Sequence, residues 1–386
     1  MSLIVDEHRE YLSDHNRVEA FRRAIDEVVK PGSVVVDLGA GSGIMGLLAC
    51  RAGAARVYAI ESTELIGLTE EICRANGFQD RVRFIKDFST HVRLPERADV
   101  VVADQIGQFG FEAGIFEYFS DAHERFLKPG GVLIPSRIDL FVSLVSHRPL
   151  WEQADFWNHA PAGFNFTPAH AIAANTGYPF KFTPEQILSR PALLTSLDTA
   201  KSPASLSGLE TWLVADRDGP LHGIGGWFSA QLSPRITMTN SPLVADAIHR
   251  RNVFLPIDRP VQLAKGDRVK VAMQIRPQDS MVSWTVEVRG TEAETRQTDR
   301  APKARFSHST FQGMLLSKES MEKTRPGFVP RLTPRGLARR SILELCDGQR
   351  RLGDIEQEIY RRHPDLFRSP AEAAVFVAEV VTGYTQ

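Results

Sequence analysis

The sequence predicts an α/β fold in which a parallel sheet covered by helices on both faces precedes an antiparallel β-barrel domain and a small helical C-terminal module. Three changes of texture carry that reading. Between residues 31 and 137, nearly continuous apolar runs alternate with segments of helical period, the pattern of strands buried on both faces. From 138 to about 300, short strands bounded by Gly, Pro and Asp dominate. From 301 to 386 a helical period returns.

Each element has its own signal. Residues 6–30 read as a helix or helix pair, because Leu12, Val18, Phe21, Ile25 and Val28 fall near helical spacing before Pro31-Gly32 stops the run. "VVVDL" is then a strand, 44–53 a helix, "VYAIE" a strand, 64–76 a helix and "VRFIKD" a strand. "ADVVVAD" is a further strand, 112–127 a helix, and "GGVLIPS" a strand after the turn Lys128-Pro129-Gly130. In the β region the strands are "IDLFVSLVS", "ETWLVAD", "GIGGWFSAQL", "RNVFLPI", "DRVKVAMQI" and "SWTVEVR". Residues 149–205, rich in Pro, Phe and Ala, interrupt them as a long insertion of the kind that serves as an interaction arm. After a strand-like "FQGMLLS", residues 333–385 hold three helices that begin near Thr333-Pro334, Leu352-Gly353-Asp354 and Ser369-Pro370-Ala371-Glu372.

Composition excludes several functions. The 386 residues carry a net charge of −1, so no global field draws the protein to nucleic acid or to a membrane surface. No apolar run approaches the roughly 18 residues of a membrane span, and the N-terminus lacks the basic and apolar regions of a signal peptide. Cys50, Cys73 and Cys346 show neither zinc-site nor disulfide spacing, so a cytoplasmic protein is expected and no metal site.

The stretch Val34–Glu61 carries a glycine-rich nucleotide loop that satisfies two patterns at once. Gly41-Ser42-Gly43-Ile44-Met45-Gly46 fits the dinucleotide G-x-G-x-x-G, whereas Asp37-Leu38-Gly39-Ala40-Gly41-Ser42-Gly43 fits the D-x-G-x-G-x-G loop of methyl-donor enzymes. In both cases glycines let the backbone approach a ligand at a strand's C-terminal edge, and Glu61 at the end of the next strand accepts from ribose hydroxyls. Asp37 decides between them. A pyrophosphate beside that carboxylate is electrostatically poor, whereas S-adenosyl-L-methionine has no phosphate and carries an ammonium and a sulfonium. Asp87, in "IKDFST", follows a strand where a carboxylate meets an adenine amino group. The first domain therefore reads as a Rossmann-like sheet of the class I S-adenosylmethionine methyltransferase type.

"HREYLSDHNRVEAFRRAI" (His8 to Ile25) resembles the donor-covering helix of the protein arginine methyltransferase family, in which the pattern runs H-x-x-M-L-x-D-x-x-R-x-x-x-[YF]; His8, Leu12, Asp14, Arg17 and Phe21 match and Tyr11 replaces Met. The resemblance implies that residues 1–30 cover the donor, with His8 lying over it and Arg17 pairing with its carboxylate, a task that suits the bidentate guanidinium fork. "PLHGIGGWFSAQL" and "AIHRRNVFLPIDRPVQLAKGDRV" are similar to two barrel strands of the family, and on that alignment His249 corresponds to its active-site His, with Trp absent and the spacing one residue shorter. The family also implies a homodimer formed through an arm, here about 149–190. Its two catalytic glutamates correspond to Asp104, one methylene shorter, and to Glu112, one position early, in "ADQIGQFGFEAG"; Gln105 replaces Trp. An ungapped count from Glu61 places Thr90 where the family has its acid for adenine, so Asp87 or the hydroxyls of Ser89 and Thr90 must serve instead. Because two carboxylates on one hairpin suit a cationic or amide-type nucleophile while their spacing departs from the family's, the acceptor stays open between arginine, another nitrogen and an oxygen.

"ARRSILELCDGQRRLGDIEQEIYRRH" resembles the helical part of PqqD-like winged-helix modules, which implies that residues 301–386 bind the leader of a ribosomally made peptide by strand addition and a helix groove. The bland alternative is a helical cap on the fold. Eight Lys or Arg residues between Lys323 and Arg351, against Glu344 and Asp347, read either as a solvated face or as a binding patch. Without aromatic interleaving or an N-terminal arm, DNA is not the expected partner. The combined expectation is an S-adenosylmethionine-dependent N-methyltransferase of a peptide or protein side chain; the alternatives are a small-molecule methyltransferase and a catalytically weak peptide-binding scaffold.

Overall fold

A computed structural model describes residues 4–291 and 301–385, which form two compact units, 1–314 and 315–386. In the first, α1 (Ile4–Ser13) and α2 (His15–Val28) meet at Asp14, whose side chain caps α2 by accepting from the backbone N–H of Arg17. Phe21, Ala24 and Ile25 turn the apolar stripe of α2 into the core.

The parallel sheet contains β1 (Val34–Leu38), β2 (Arg56–Glu61), β3 (Val82–Lys86), β4 (Ala98–Val102) and β5 (Leu127–Ile134) in the order β3-β2-β1-β4-β5. All five β1 residues are buried, as expected of a central strand covered on both faces. The helices α3 (Ile44–Arg51), α4 (Leu65–Ala75) and α5 (Ile115–Arg125) complete the layer. Chain order reverses between β1 and β4, and a crevice at such a switch point, outside the strands' C-terminal ends, is where this architecture places ligands.

The β domain holds two antiparallel sheets. One pairs β6 (Arg137–Val145), β7 (Tyr178–Phe180), β8 (Ala192–Asp198), β10 (Gly219–Gln231), β11 (Thr237–Thr239) and β12 (Asn252–Leu263); the other pairs β9 (Leu206–Val214), β13 (Arg268–Arg276), β14 (Met281–Arg289) and β15 (Ala304–Ser309). The expected insertion at 149–205 is therefore partly strand, because β8 completes an edge of the first sheet beside β6. Its remainder contains α6 (Arg148–Asp155) and α7 (Thr167–Ala173) and exposes Phe156, Phe164 and Phe166. "FQGMLLS" is not a strand. The closing strand lies earlier, at β15, where Ala304, Phe306 and His308 alternate inward against β14. The β domain thus continues past the texture change at residue 300.

The second unit is helical, with helices at Lys318–Lys323, Pro334–Leu345, Leu352–Arg362 and Pro370–Tyr384 around a core that includes Ile342, Ile359, Phe376 and Val377. Thr333 and Ser369 cap two of these helices, each accepting from the N–H three residues on. Among its described residues there is no strand, so the wing of a winged helix is not formed there.

The Asp14 side chain does two jobs while only 5% exposed: besides capping α2 it accepts the backbone N–H of His249 at 2.7 Å. Asp14→Ala should destabilise the first unit by about 2–4 kcal/mol, combining a lost cap with an orphaned buried N–H, and Asp14→Asn, which keeps one acceptor oxygen but turns an amide NH2 on the other N–H, should recover only about 1 kcal/mol of that. Urea unfolding of both variants checks this; equal losses would assign Asp14 a role other than accepting these bonds.

Candidate active site

A cleft of about 830 Å³ opens at the switch point between the ends of β1 and β4. The glycine loop forms one wall and α1 another, the segment 104–108 lies along it, and His249, Arg250 and Arg251 reach in from the β domain.

The glycine loop is shaped by backbone conformations that L-residues rarely adopt. Gly39 and Gly41 have φ of +70° and +55°. A β-carbon on Gly39 would collide with the amide of Gln105, and one on Gly41 with the His8 ring. The cradle is thus lined by bare backbone below and by Gln105 and His8 above. Glu61, at the end of β2, accepts the N–H of Gly41 at 3.1 Å with one oxygen and the N–H and hydroxyl of Thr63 with the other. Burial lowers the pKa of His8, outweighing the opposing attraction of Glu61.

Asp37 is 1% exposed and accepts the N–H of Gly46, in the first turn of α3, at 2.8 Å. Its carboxylate therefore occupies the helix-terminal donor that a pyrophosphate would need, a more direct reason against a dinucleotide than charge alone. Burial raises its pKa to about 7, with the Gly46 N–H opposing and Glu61 adding to the rise. The cradle fits S-adenosyl-L-methionine on the structure's own terms: glycine backbone leaves room for the donor, Gln105 holds a buried Oε1 with no partner among the described residues, and Glu61 stands where ribose hydroxyls would donate.

A second, smaller cavity beside Glu61 is lined by Asp87, Phe88 and Ser89. Asp87 is exposed, and its Oδ1 accepts its neighbour's N–H, that of Phe88, at 2.7 Å. Thr90 is exposed and absent from that lining, because the turn points Ser89 inward in its place.

On the cleft floor Asp104 is held by two guanidinium groups. Arg17 Nε and Arg250 Nη2 both donate to Oδ2, the latter at 2.8 Å. The three side chains are only 8%, 9% and 15% exposed for Arg17, Asp104 and Arg250 respectively. Oδ1 of Asp104 is buried and has no hydrogen-bond partner among the described residues. Burial works to raise the Asp104 pKa, but Arg250 and Arg17 outweigh it and hold the group below its ordinary value. Burial likewise opposes the charge of Arg250, and Asp104 nonetheless keeps its pKa above the usual value.

Glu112 does not join Asp104. Its carboxylate turns back onto its own loop, accepting the N–H of Phe109 at 2.8 Å and that of Phe111 at 3.1 Å, and faces a separate cavity with Ser280. Burial raises its pKa against these backbone donors. The reason is packing: Phe109 fills the space left by Gly226 of β10, where a β-carbon would lie 2.7 Å from the ring, so the loop docks on the β domain and carries Glu112 away from the floor. His249 lines the cleft with an exposed side chain. Arg250 is the cleft side chain on Asp104 that sequence reasoning did not single out; its signal was a pair of arginines, Arg250-Arg251, at the entry to an apolar strand.

Gly41→Ala should weaken S-adenosylhomocysteine binding at least tenfold, because the methyl strains the loop and displaces His8; calorimetry checks this, and unchanged affinity would take Gly41 out of the cradle. Asp37 also makes a pH prediction. With a folded pKa near 7 against 3.8, the folded state holds a proton that the unfolded state releases, so stability from this group falls as pH rises from about 4 to 7 and is level above that. Asp37→Asn should therefore gain on wild type by up to about 4 kcal/mol at pH 8 and by clearly less at pH 5. Urea unfolding at both pH values decides; a pH-independent difference would overturn it.

Comparison with known proteins agrees with this geometry. Residues 14–138 match the family described as ribosomal protein L11 methyltransferase (PrmA), and residues 136–288 match the arginine methyltransferase oligomerization subdomain. Protein arginine N-methyltransferase 6 of Xenopus laevis is 26% identical over 287 residues, covering 70% of this chain and 84% of that protein. Protein arginine N-methyltransferase PRMT10 of Arabidopsis thaliana is 24% identical over 341 residues, covering 78% and 88%. Among solved structures, the Trypanosoma brucei PRMT1 enzyme-prozyme heterotetrameric complex with AdoHcy superposes with a TM-score of 0.68 at 19% identity, covering 78% of this chain and 97% of that one. The open conformation of Arabidopsis thaliana protein arginine methyltransferase 10 gives 0.67 at 20% identity, with the same coverage. Glycine cradle, switch-point cleft and sequence kinship converge: the chain is an S-adenosyl-L-methionine-dependent methyltransferase, similar to the protein arginine methyltransferases over its parallel sheet and β domain.

Proposed function

We propose that this methyltransferase acts on a side-chain nitrogen of a peptide or protein, with the residues of the cleft divided between donor and acceptor. The observation that carries the reading is the single cleft that brings the glycine loop, α1 and Asp104 together. S-adenosyl-L-methionine supplies a methyl group on a sulfonium, and what the chain must add is alignment for an in-line displacement. Gly39, Gly41 and Glu61 would hold the donor, with His8 closing over it and Arg17 turned to its carboxylate. Asp87, Phe88 and Ser89 would surround the adenine, in place of Thr90. Asp104 would orient the acceptor, with His249 at the rim.

The exposed Phe156, Phe164 and Phe166 support a self-association arm at about 149–190, in keeping with the match to an oligomerization subdomain. For the second unit we propose peptide recruitment of the PqqD-like kind. With no strand among its described residues, a helix groove is the mode its fold supports. Among the described residues no helix is long and apolar enough to cross a membrane. A cytoplasmic site of action is part of the same proposal.

Calorimetry should show S-adenosylhomocysteine binding, and labelled methyl groups should transfer to peptide or protein. Removing residues 315–386 should leave S-adenosylhomocysteine affinity within about twofold while raising the KM for peptide at least tenfold. Peptide methylation undiminished by the deletion would end the recruitment proposal; donor-analogue binding with no transfer to any peptide would favour a scaffold instead.

A further inference from the structure

The two segments that form the acceptor side of the cleft have no regular structure of their own. Residues 103–108 follow β4 without helix or strand, and the chain from Asn240 to Arg251 runs without either before β12 begins. Backbone of that kind must find partners for its carbonyls, and here one buried side chain serves both segments. Asn240 is 3% exposed. Its Nδ2 donates to the carbonyl of Gln108 and to that of Arg251, each at 2.8 Å. Its Oδ1 accepts the N–H of Phe228, in β10, at 3.0 Å. Three backbone groups from separate parts of the chain thus converge on one amide.

Among side chains, only a carboxamide meets this demand. A carboxylate has no donor, a hydroxyl has one, and a guanidinium cannot accept. The network also fixes the amide's orientation, since turning it over would set the oxygen against two carbonyls and the NH2 against an N–H. Asn240 is itself held in place, because Nδ2 of the buried Asn252 donates to its carbonyl at 2.7 Å.

These bonds bear on the cleft. Gln108 and Arg251 both line it, Asp104 lies shortly before the first, and Arg250 is the neighbour of the second. Arg250 makes a second tie between the same segments, donating to Asp104 from Nη2 and to the carbonyl of Gly107 from Nη1. The wall that carries His249 and Arg250 is therefore anchored at one end by Asp14, on the N–H of His249, and at the other by Asn240. The sheet does not need this amide, because β10 and β12 pair directly through Gly226 and Val253. What Asn240 adds is the reach to Gln108. It is not among the residues that line the cleft, so it acts through these two segments.

We infer that Asn240 is a positioning residue for methyl transfer. It sets the register between the Asp104 loop and the Arg250 segment, and so fixes where the acceptor lies relative to the donor. This rests on the division of the cleft proposed above and adds the group that holds its acceptor side in place.

The test uses the full-length protein, a mixture of random peptides and methyl-labelled S-adenosyl-L-methionine. Asn240→Asp keeps the size and the Oδ1 acceptor but loses both donors. It should slow label transfer about tenfold or more while leaving S-adenosylhomocysteine affinity within about twofold of wild type. Amide hydrogen exchange should quicken about tenfold or more in 104–112 and 249–252 and stay level in 34–46. Arg250→Gln and the double variant complete a cycle. Because both side chains tie the same segments, the double variant should be no more than about threefold slower than the poorer single one, whereas independent losses multiply. If Asn240→Asp fails to bind S-adenosylhomocysteine, Asn240→Ala, which brings no charge, takes its place. Undiminished transfer by the substituted protein, exchange unmoved in both segments, or losses that multiply would overturn the inference. Wild type that binds S-adenosylhomocysteine but labels no peptide would overturn the peptide reading instead, and the exchange result would then decide the inference by itself.

Discussion

The carboxylate of Asp104 is the joint on which the site depends. Arg17 comes from the N-terminal helices, Asp104 from the end of the parallel sheet and Arg250 from the β domain, and they meet through one oxygen atom. Each is almost wholly withdrawn from water. Buried pairs contribute little net stability, but removing one partner strands the others at a cost of about 3–5 kcal/mol. The cluster therefore ties three distant segments into one register. Asp14 reinforces it from a few residues away, tying α2 to the backbone of His249. The approach of the β domain to the donor domain is thus set by two acids whose partners lie on the opposite side of the cleft.

The donor half is built in another way. Its shape comes from backbone: two left-handed glycines, a strand end and the first turn of a helix. Asp37 is the one side chain that organises this backbone, and it does so by plugging the helix N–H of Gly46. A carboxyl that titrates near 7 is the consequence of placing an acid at the buried centre of a five-stranded sheet. The same acid leaves that helix N–H unavailable to a phosphate.

That division explains what was legible in the sequence. Strands buried on both faces announce themselves as apolar runs, and glycines at ligand-facing turns are few and regularly spaced, so the parallel sheet, the cradle and Glu61 were readable. Asp37 was readable as a discriminator, although its partner Gly46, nine residues away, was not. The acceptor half depends on contacts between distant segments. Asp104 and Arg250 are separated by 146 positions, and no local pattern links them. Glu112 was misplaced for the same reason: its direction is set by Phe109 docking at Gly226, a contact across the domain boundary. The strand at Ala304–Ser309 was missed because its alternation is short and mostly polar outward, while the apolar "FQGMLLS" beside it mimicked one.

A site assembled this way separates what shapes the donor half from what sets the charge of the floor. The cradle tolerates few substitutions, because a β-carbon at Gly39 or Gly41 meets a neighbouring side chain at once. The floor is a charge balance among Asp104, Arg17 and Arg250, and a single replacement there leaves a buried charge poorly met. With Arg17 and Arg250 on one of its oxygens, Asp104 has its charge met by the protein's own side chains. Without Arg250, Asp104 would depend on Arg17 alone for its neutralisation. Arg250 therefore acts on the charge that Asp104 carries, across the cleft from the glycine loop, and leaves the backbone geometry of the donor half untouched.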